Sequence, residues 1–145
     1  MGETEGKDGY FITKEEFFQK EWIAKTNYSG NFYGITHKEI EPLKRSHMVY
    51  VIDWDGFIYM KNKLKPIHKN AEAISIFIDV NIEDLQNRMI KQQRSDTEIK
   101  KRMDRLHMDL QVKYKCDYII ENKTTLENAV SQLHAIITQT NKVHC

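Results

Sequence analysis

Cysteine is nearly absent from this chain: Cys116 and Cys145 are the only two in 145 residues. They form no Cys-x-x-Cys pair, so neither a metal ribbon nor a disulfide framework is indicated, and a reducing, cytoplasmic setting is expected. Proline is as scarce, with Pro42 and Pro66 alone, and neither marks a long linker. No apolar run is long enough to span a bilayer. Residues 1–9 are polar and lack the apolar centre of a secretory signal. Met1-Gly2 opens the chain, but Gly6 stands where N-myristoylation needs Ser or Thr. An excess of one charge is also missing, since 22 Lys and Arg against 21 Asp and Glu leave +1. That balance argues against general attraction to nucleic acid or to a membrane, so any phosphate must be held by locally placed Arg and Lys. His37, His47, His68, His107, His134 and His144 include no His-x-x-x-His pair, and no metal site is expected. Gly-x-x-x-x-Gly-Lys-Ser/Thr, the loop whose amides cradle a triphosphate, occurs nowhere.

What is present is a charged globular chain whose length suits one domain with a sizeable core. Helix starts are signposted by Ser/Thr-x-x-Glu boxes, which satisfy two orphan amides reciprocally. Thr13 with Glu16 opens a short helix, and Thr36 with Glu39 another that turns Ile40 and Leu43 inward. Ser95 with Glu98 opens a long helix, Thr124 with Glu127 the last, and Asn81 with Asp84 is a weaker version. Strands are expected over residues 9–12, 22–27, 32–35, 47–53, 73–80 and 117–121. The runs 48–52 and 74–80 are almost continuously apolar, as strands covered on both faces are. Ile99, Met103, Leu106 and Leu110 share one helical face. Cys116, ahead of an apolar strand, reads as buried and inert. The fold class predicted is α/β: a small β-rich region, then a parallel core sheet with helical crossovers.

Two segments carry the most functional information. Gly30-Asn31-Phe32-Tyr33-Gly34 is an aromatic turn bracketed by glycines. Met48-Val49-Tyr50-Val51-Ile52-Asp53 is an apolar run ending on acid, as strands do where they deliver residues to the ligand edge of an α/β sheet. With them come Gly2-Glu3, Gly6-Lys7-Asp8, Phe11-Ile12-Thr13, Glu16-Phe17, Asp53-Trp54-x-Gly56, Ile82-Glu83-Asp84-Leu85 with Arg88, Lys101-Arg102 and Asp117-Tyr118-Ile119-Ile120-Glu121-Asn122. In this order and spacing, from Gly2 to about Ile137, the chain resembles the guanylate kinase family.

The resemblance implies a P-loop nucleoside-monophosphate-kinase-like fold in three parts: a GMP-binding-type subdomain over 1–47, a core over 48–88 and 114–145, and a helical lid over 89–113. It implies catalytic roles for Arg88, Arg102 and Asp53, and substrate-binding roles for Tyr33, Tyr10 and Asn31. The bland alternatives stand beside these. Tyr33 also reads as a turn aromatic, Asp53 as the cap of the next helix, and the arginines as a solvated helix face.

Departures from the family pattern accompany the match. Ala24 falls where the family carries a carboxylate that reads guanine, Gly9 where it has a phosphate-binding Tyr, Ile35 at a Ser/Thr, and Val51 at the first acid of an Asp-x-Asp strand end. Gln92 stands at an Arg-Gly position, with Arg94 two residues on. The family's first strand, phosphate loop and two GMP-gripping arginines are not among these residues. ATP and Mg²⁺ are therefore expected only if that loop is supplied, and the chain as given is expected to be deficient as a guanylate kinase. The alternative is a non-catalytic module binding a protein or a nucleotide. The expected partners are a nucleoside monophosphate and a protein partner, with no nucleic acid and no membrane. The apolar runs 48–53 and 73–80 are further expected to pair directly, or to be completed in a homodimer or strand-swapped oligomer.

Overall fold

The computed structural model describes residues 9–28, 30–41 and 46–141. The chain divides into two compact units, Met1–Ala73 and Ile74–Cys145. The matches at Gly2-Glu3 and Gly6-Lys7-Asp8 lie outside the described residues, as do Leu43 and Cys145.

The first unit is built on a hairpin. α1 (Lys14–Gln19) starts at Thr13, where the predicted capping box is formed in both directions. β1 (Ala24–Tyr28) and β2 (Asn31–Ile35) pair antiparallel, from Ala24 opposite Ile35 to Tyr28 opposite Asn31. Gly30, at φ 85°, supplies the left-handed residue the tight connection needs. An aromatic cluster joins α1 to the hairpin. Trp22 stacks on Phe17 at 4.5 Å between ring centres, and its indole N–H donates to the Phe17 carbonyl at 2.8 Å. Phe32 lies 5.3 Å from Phe17.

α2 (Trp54–Ile67) packs on β1. Ile23, Ile40 and Leu64 are buried together, with Ile35, Met60, Ala71 and Ala73 partly buried around them. Burying each of these large side chains contributes about 1.5–3 kcal/mol before chain entropy is subtracted. The lysine run Lys61-Asn62-Lys63-Leu64-Lys65 lies in α2. Its Leu64 is core, while Lys61 lies over the Phe57 ring and Lys63 over Tyr59.

The second unit is strand, two helices, strand, helix. β3 (Ile76–Asp79) and β4 (Tyr118–Glu121) pair in parallel, with Ile76 opposite Tyr118 and Asp79 opposite Glu121. α3 (Ile82–Lys91) and α4 (Asp96–Val112) form the crossover, and a 3-10 turn (Lys113–Lys115) leads into β4. α3 and α4 pack on one another, Met89 being the buried residue of α3 and Ile99 that of α4, and α5 (Leu126–Asn141) packs on β4. A parallel pair joined through helices is the α/β connection predicted.

Several elements differ from expectation. Residues 47–53 form no strand and belong to no ladder: Val49 and Val51 are exposed, Val51 fully. Hydropathy selects residues that suit a strand but supplies no hydrogen-bonding neighbour. The expected direct sheet pairing of this run is accordingly not formed. Residues 9–12 hold an isolated bridge at Gly9 and no strand. After Thr36 the chain makes turns at 37–40 instead of a helix. Thr36 N–H and Oγ both donate to Glu39 Oε2, and Ile40 is buried. The last helix starts one residue later than its box implied, with Thr125 Oγ1 accepting from the Asn128 N–H.

Candidate functional site

The hairpin and the start of α2 bring three polar side chains toward one another. Thr26 and Tyr33 are directly opposed across β1 and β2, so their side chains share a face of the hairpin. Thr26 Oγ1 donates a hydrogen bond to Asp53 Oδ2. Asp53 is also the N-cap of α2: its Oδ1 accepts from the Gly56 N–H at 2.9 Å. A β-carbon at Gly56 would stand 2.9 Å from that same oxygen and from Ile52 Cγ1, so the close approach of carboxylate to backbone depends on glycine there. The capping reading of Asp53 is thus realised in the geometry, and its carboxylate is held from two directions. Thr26 was not singled out in the sequence.

Tyr33 is 39% exposed. Asn31 begins β2 on the same face as Tyr33, two residues away, and is exposed. Tyr10 lies in coil ahead of α1 and is exposed. Ala24 is buried opposite Ile35.

Arg88 and Arg102 belong to the second unit and lie on packed neighbours. Arg88 is exposed in the last turn of α3, and Arg102 is exposed along α4. The connection between these helices is tight. The Gln92 N–H donates to the Arg88 carbonyl at 3.0 Å, Gln93 takes a left-handed φ of 56°, and Arg94 Nε donates to Gln92 Oε1 at 3.1 Å.

A further charged group lies at the carboxyl end of β3. Asp79 is 5% exposed, with Lys113 Nζ at 2.9 Å and Lys123 Nζ at 3.0 Å from its Oδ2. Hydrogen bonds from Lys113 and then Lys123 hold its carboxyl below the ordinary aspartate range, against the opposing effect of burial. The cluster ties the ends of both strands to the turn after α4. The sequence signal was an acid inside an apolar run. At the other end of the pair, the Ser75 N–H and hydroxyl both donate to Asp117 Oδ2, at 2.8 and 2.7 Å. Neighbouring Cys116 is half-buried, and burial pushes its thiol pKa up, which makes it a poor nucleophile.

No helix among the described residues is long and apolar enough to cross a membrane. The described glycines, Gly9, Gly30, Gly34 and Gly56, lie in a bridge, a turn, a strand and a helix. None lies in a glycine-rich loop leading into a helix through Lys-Ser/Thr.

Comparisons with known proteins agree on what these parts belong to. A guanylate kinase relative from Fusobacterium nucleatum subsp. nucleatum is 35% identical over 145 residues, covering 94% of this chain and 74% of the relative. One from Mesoplasma florum is 29% identical over 144 residues, and there the match covers only 46% of the relative. The chain thus spans about half the length of some curated relatives that it matches. The crystal structure of guanylate kinase from Anaplasma phagocytophilum superposes with a TM-score of 0.70 at 28% identity, covering 95% of this chain and 68% of that one. The family model described as Guanylate kinase matches residues 1–140, nearly end to end, and with the hairpin, the parallel pair and the crossover helices it makes this chain a member of the guanylate kinase family.

Proposed function

We propose that this chain serves phosphoryl transfer from ATP to GMP, as the part of a guanylate kinase that binds the monophosphate and closes over it. The family match over residues 1–140 carries this reading. Residues 1–47 act as the GMP-binding subdomain, with Tyr33 directing its hydroxyl to the phosphate and Asn31 and Tyr10 flanking it. Residues 89–113 act as the lid, and Arg88 and Arg102 meet phosphate oxygens as charge-assisted donors. Phosphoryl transfer depends on positioning and on neutralising charge. These side chains would supply that for the acceptor, but the 145 residues hold no loop for the donor. The chain as given is therefore deficient: it binds GMP and does not turn it over.

Calorimetry with GMP, AMP, UMP and ATP, beside a coupled assay for ATP-dependent GMP phosphorylation, tests the reading. Submillimolar GMP binding without turnover is the expected result. Turnover in the ordinary kinase range of about 1–100 s⁻¹ would overturn the deficiency. A second reading is favoured by one observation: Ala24 is buried and its side chain offers no hydrogen-bond acceptor. On that reading the chain is a non-catalytic module that binds a protein or a nucleotide. Absence of binding to all four nucleotides would select its protein-binding form.

A further inference from the structure

We propose that the lysine-bearing flank of α2 is a binding surface for single-stranded nucleic acid, held through its phosphates. The inference does not rest on the reading of the hairpin as a monophosphate site. Residues 54–69 hold Lys61, Lys63, Lys65 and Lys69 against one acid, Asp55, so a chain of net charge +1 carries a concentrated basic patch here. Lys25 joins it from β1. Lys25 opposes Gly34, on the face of the hairpin away from Thr26 and Tyr33. Its ammonium lies 5.1 Å from the centre of the Tyr59 ring, and that of Lys63 lies 5.9 Å from the same ring. Lys61 lies 5.5 Å from the centre of the Phe57 ring. All five lysines are exposed, and no ion pair among the described residues involves any of them.

An ammonium over an aromatic face is attracted by the negative face of the ring. The rings are themselves fixed. Phe57 is buried, and the Tyr59 hydroxyl donates to the Trp22 carbonyl at 3.5 Å. Lysine chains held in this way are partly ordered before a ligand arrives, which lowers the entropic cost of fixing them on binding. Lys61 and Lys65 stand one helical turn apart, about 6 Å along the axis, while Lys25 and Lys63 share one ring. The complement to such a row of cations is a chain of regularly spaced anions. A helix flank is convex, so a flexible strand can follow it where a stiff duplex meets it at few points. Because lysines lie over the two rings, the patch meets phosphates and does not read bases. A lipid surface fits less well. The large apolar side chains of α2, Phe57 and Leu64, are buried within the chain and are not free to insert.

The test is fluorescence anisotropy of the 145-residue chain with a labelled oligouridylate, between about 50 and 200 mM salt. Binding is expected, with log affinity falling against log salt at a slope of about −3, the value for roughly four phosphates neutralised on a single strand. A variant combining Lys61→Gln, Lys63→Gln and Lys65→Gln is expected to bind at least about ten-fold more weakly, with a slope nearer −1. Arginine at the same three positions should restore both, because charge and not lysine is required. Lys91→Gln, Lys100→Gln and Lys115→Gln together remove as much charge from the second unit and should keep the parent's slope. If the first glutamine variant loses its helical circular dichroism, Lys65→Gln with Lys69→Gln takes its place, with a proportionately smaller change in slope. A parent that does not bind the strand at about 50 mM salt, or glutamine variants of the two units that lose affinity alike, would overturn the proposal. Tighter binding of a duplex of equal length would overturn the single-strand assignment. Binding to vesicles of phosphatidylcholine and phosphatidylserine, without binding to the strand, would give the face to lipid instead. Displacement of the strand by GMP would place it in the monophosphate site and overturn a separate surface.

Discussion

The six-membered ring of the Trp22 indole lies directly against the α-carbon of Gly34. A β-carbon at residue 34 would stand 2.3 Å from Trp22 Cε3 and 2.7 Å from Cδ2. The indole cannot retreat easily, because it stacks on Phe17 and donates its N–H to the Phe17 carbonyl. Alanine ordinarily improves on glycine inside a strand by about 0.5–1 kcal/mol. Here the clash decides the sign. Gly34→Ala is expected to destabilise the chain by about 1–3 kcal/mol, the range for overpacking. Urea unfolding followed by tryptophan fluorescence measures it, and an equal or higher midpoint would contradict the geometry.

Asp79 sets an acid limit on stability. Its folded-state pKa is depressed by Lys113 and Lys123, so the unfolded chain binds the proton more readily. The contribution is fully present above the ordinary aspartate value of about 4 and is lost as pH falls through the depressed folded value. Lys123 is well exposed and solvent screens its share. Asp79→Asn is therefore expected to cost about 1–2 kcal/mol at neutral pH, the order of one charged hydrogen bond. The difference between parent and variant should close as pH is lowered beneath 4. Parallel stability curves over that window would refute the coupling.

Ser95 anchors the start of α4. Its hydroxyl accepts from the Glu98 N–H at 3.3 Å, while its own N–H donates to Glu98 Oε2 at 3.0 Å. The hydrogen bonds from Ser95, backbone first and side chain second, hold the Glu98 carboxyl below the ordinary glutamate range. Ser95→Ala is expected to cost about 0.5–2 kcal/mol. Amide exchange of residues 96–99 should quicken more than that of β3 and β4. Uniform quickening throughout the chain would mean that α4 does not open as a local unit.

These sites differ in how far the sequence disclosed them. Thr13, Ser95 and the Gly30 turn were legible because capping and left-handed turns depend on a few adjacent residues. The parallel strands were legible as apolar runs, though both are shorter than their runs. Residues 47–53 misled because an apolar run becomes a strand only beside another strand, and Val51 is fully exposed instead. Thr26 and the lysines on Asp79 were not legible. The Thr26–Asp53 bond joins residues 27 apart, the Lys113–Asp79 bond residues 34 apart, and local pattern carries no such information.

Arg88 and Arg102 provide the test of the lid. Both are exposed on helices that pack together, and α3 ends within a turn of the start of α4, at the left-handed Gln93. Truncating either removes a guanidinium without opening a core, so stability should change by no more than about 0.5 kcal/mol. If the arginines meet phosphate oxygens, Arg88→Ala and Arg102→Ala should each weaken GMP binding by about 1–3 kcal/mol, the worth of a hydrogen bond to a charged group. Lysine at either position keeps the charge and loses the two-pronged geometry, so it should recover only part of the affinity. Guanosine, which has the base without the phosphate, should bind the parent and both alanine variants equally. Calorimetry with GMP and guanosine reads all three outcomes. Unchanged GMP affinity in both alanine variants would exclude the clamp, and equal losses for GMP and guanosine would show that the arginines act on the fold of the site instead of on the phosphate.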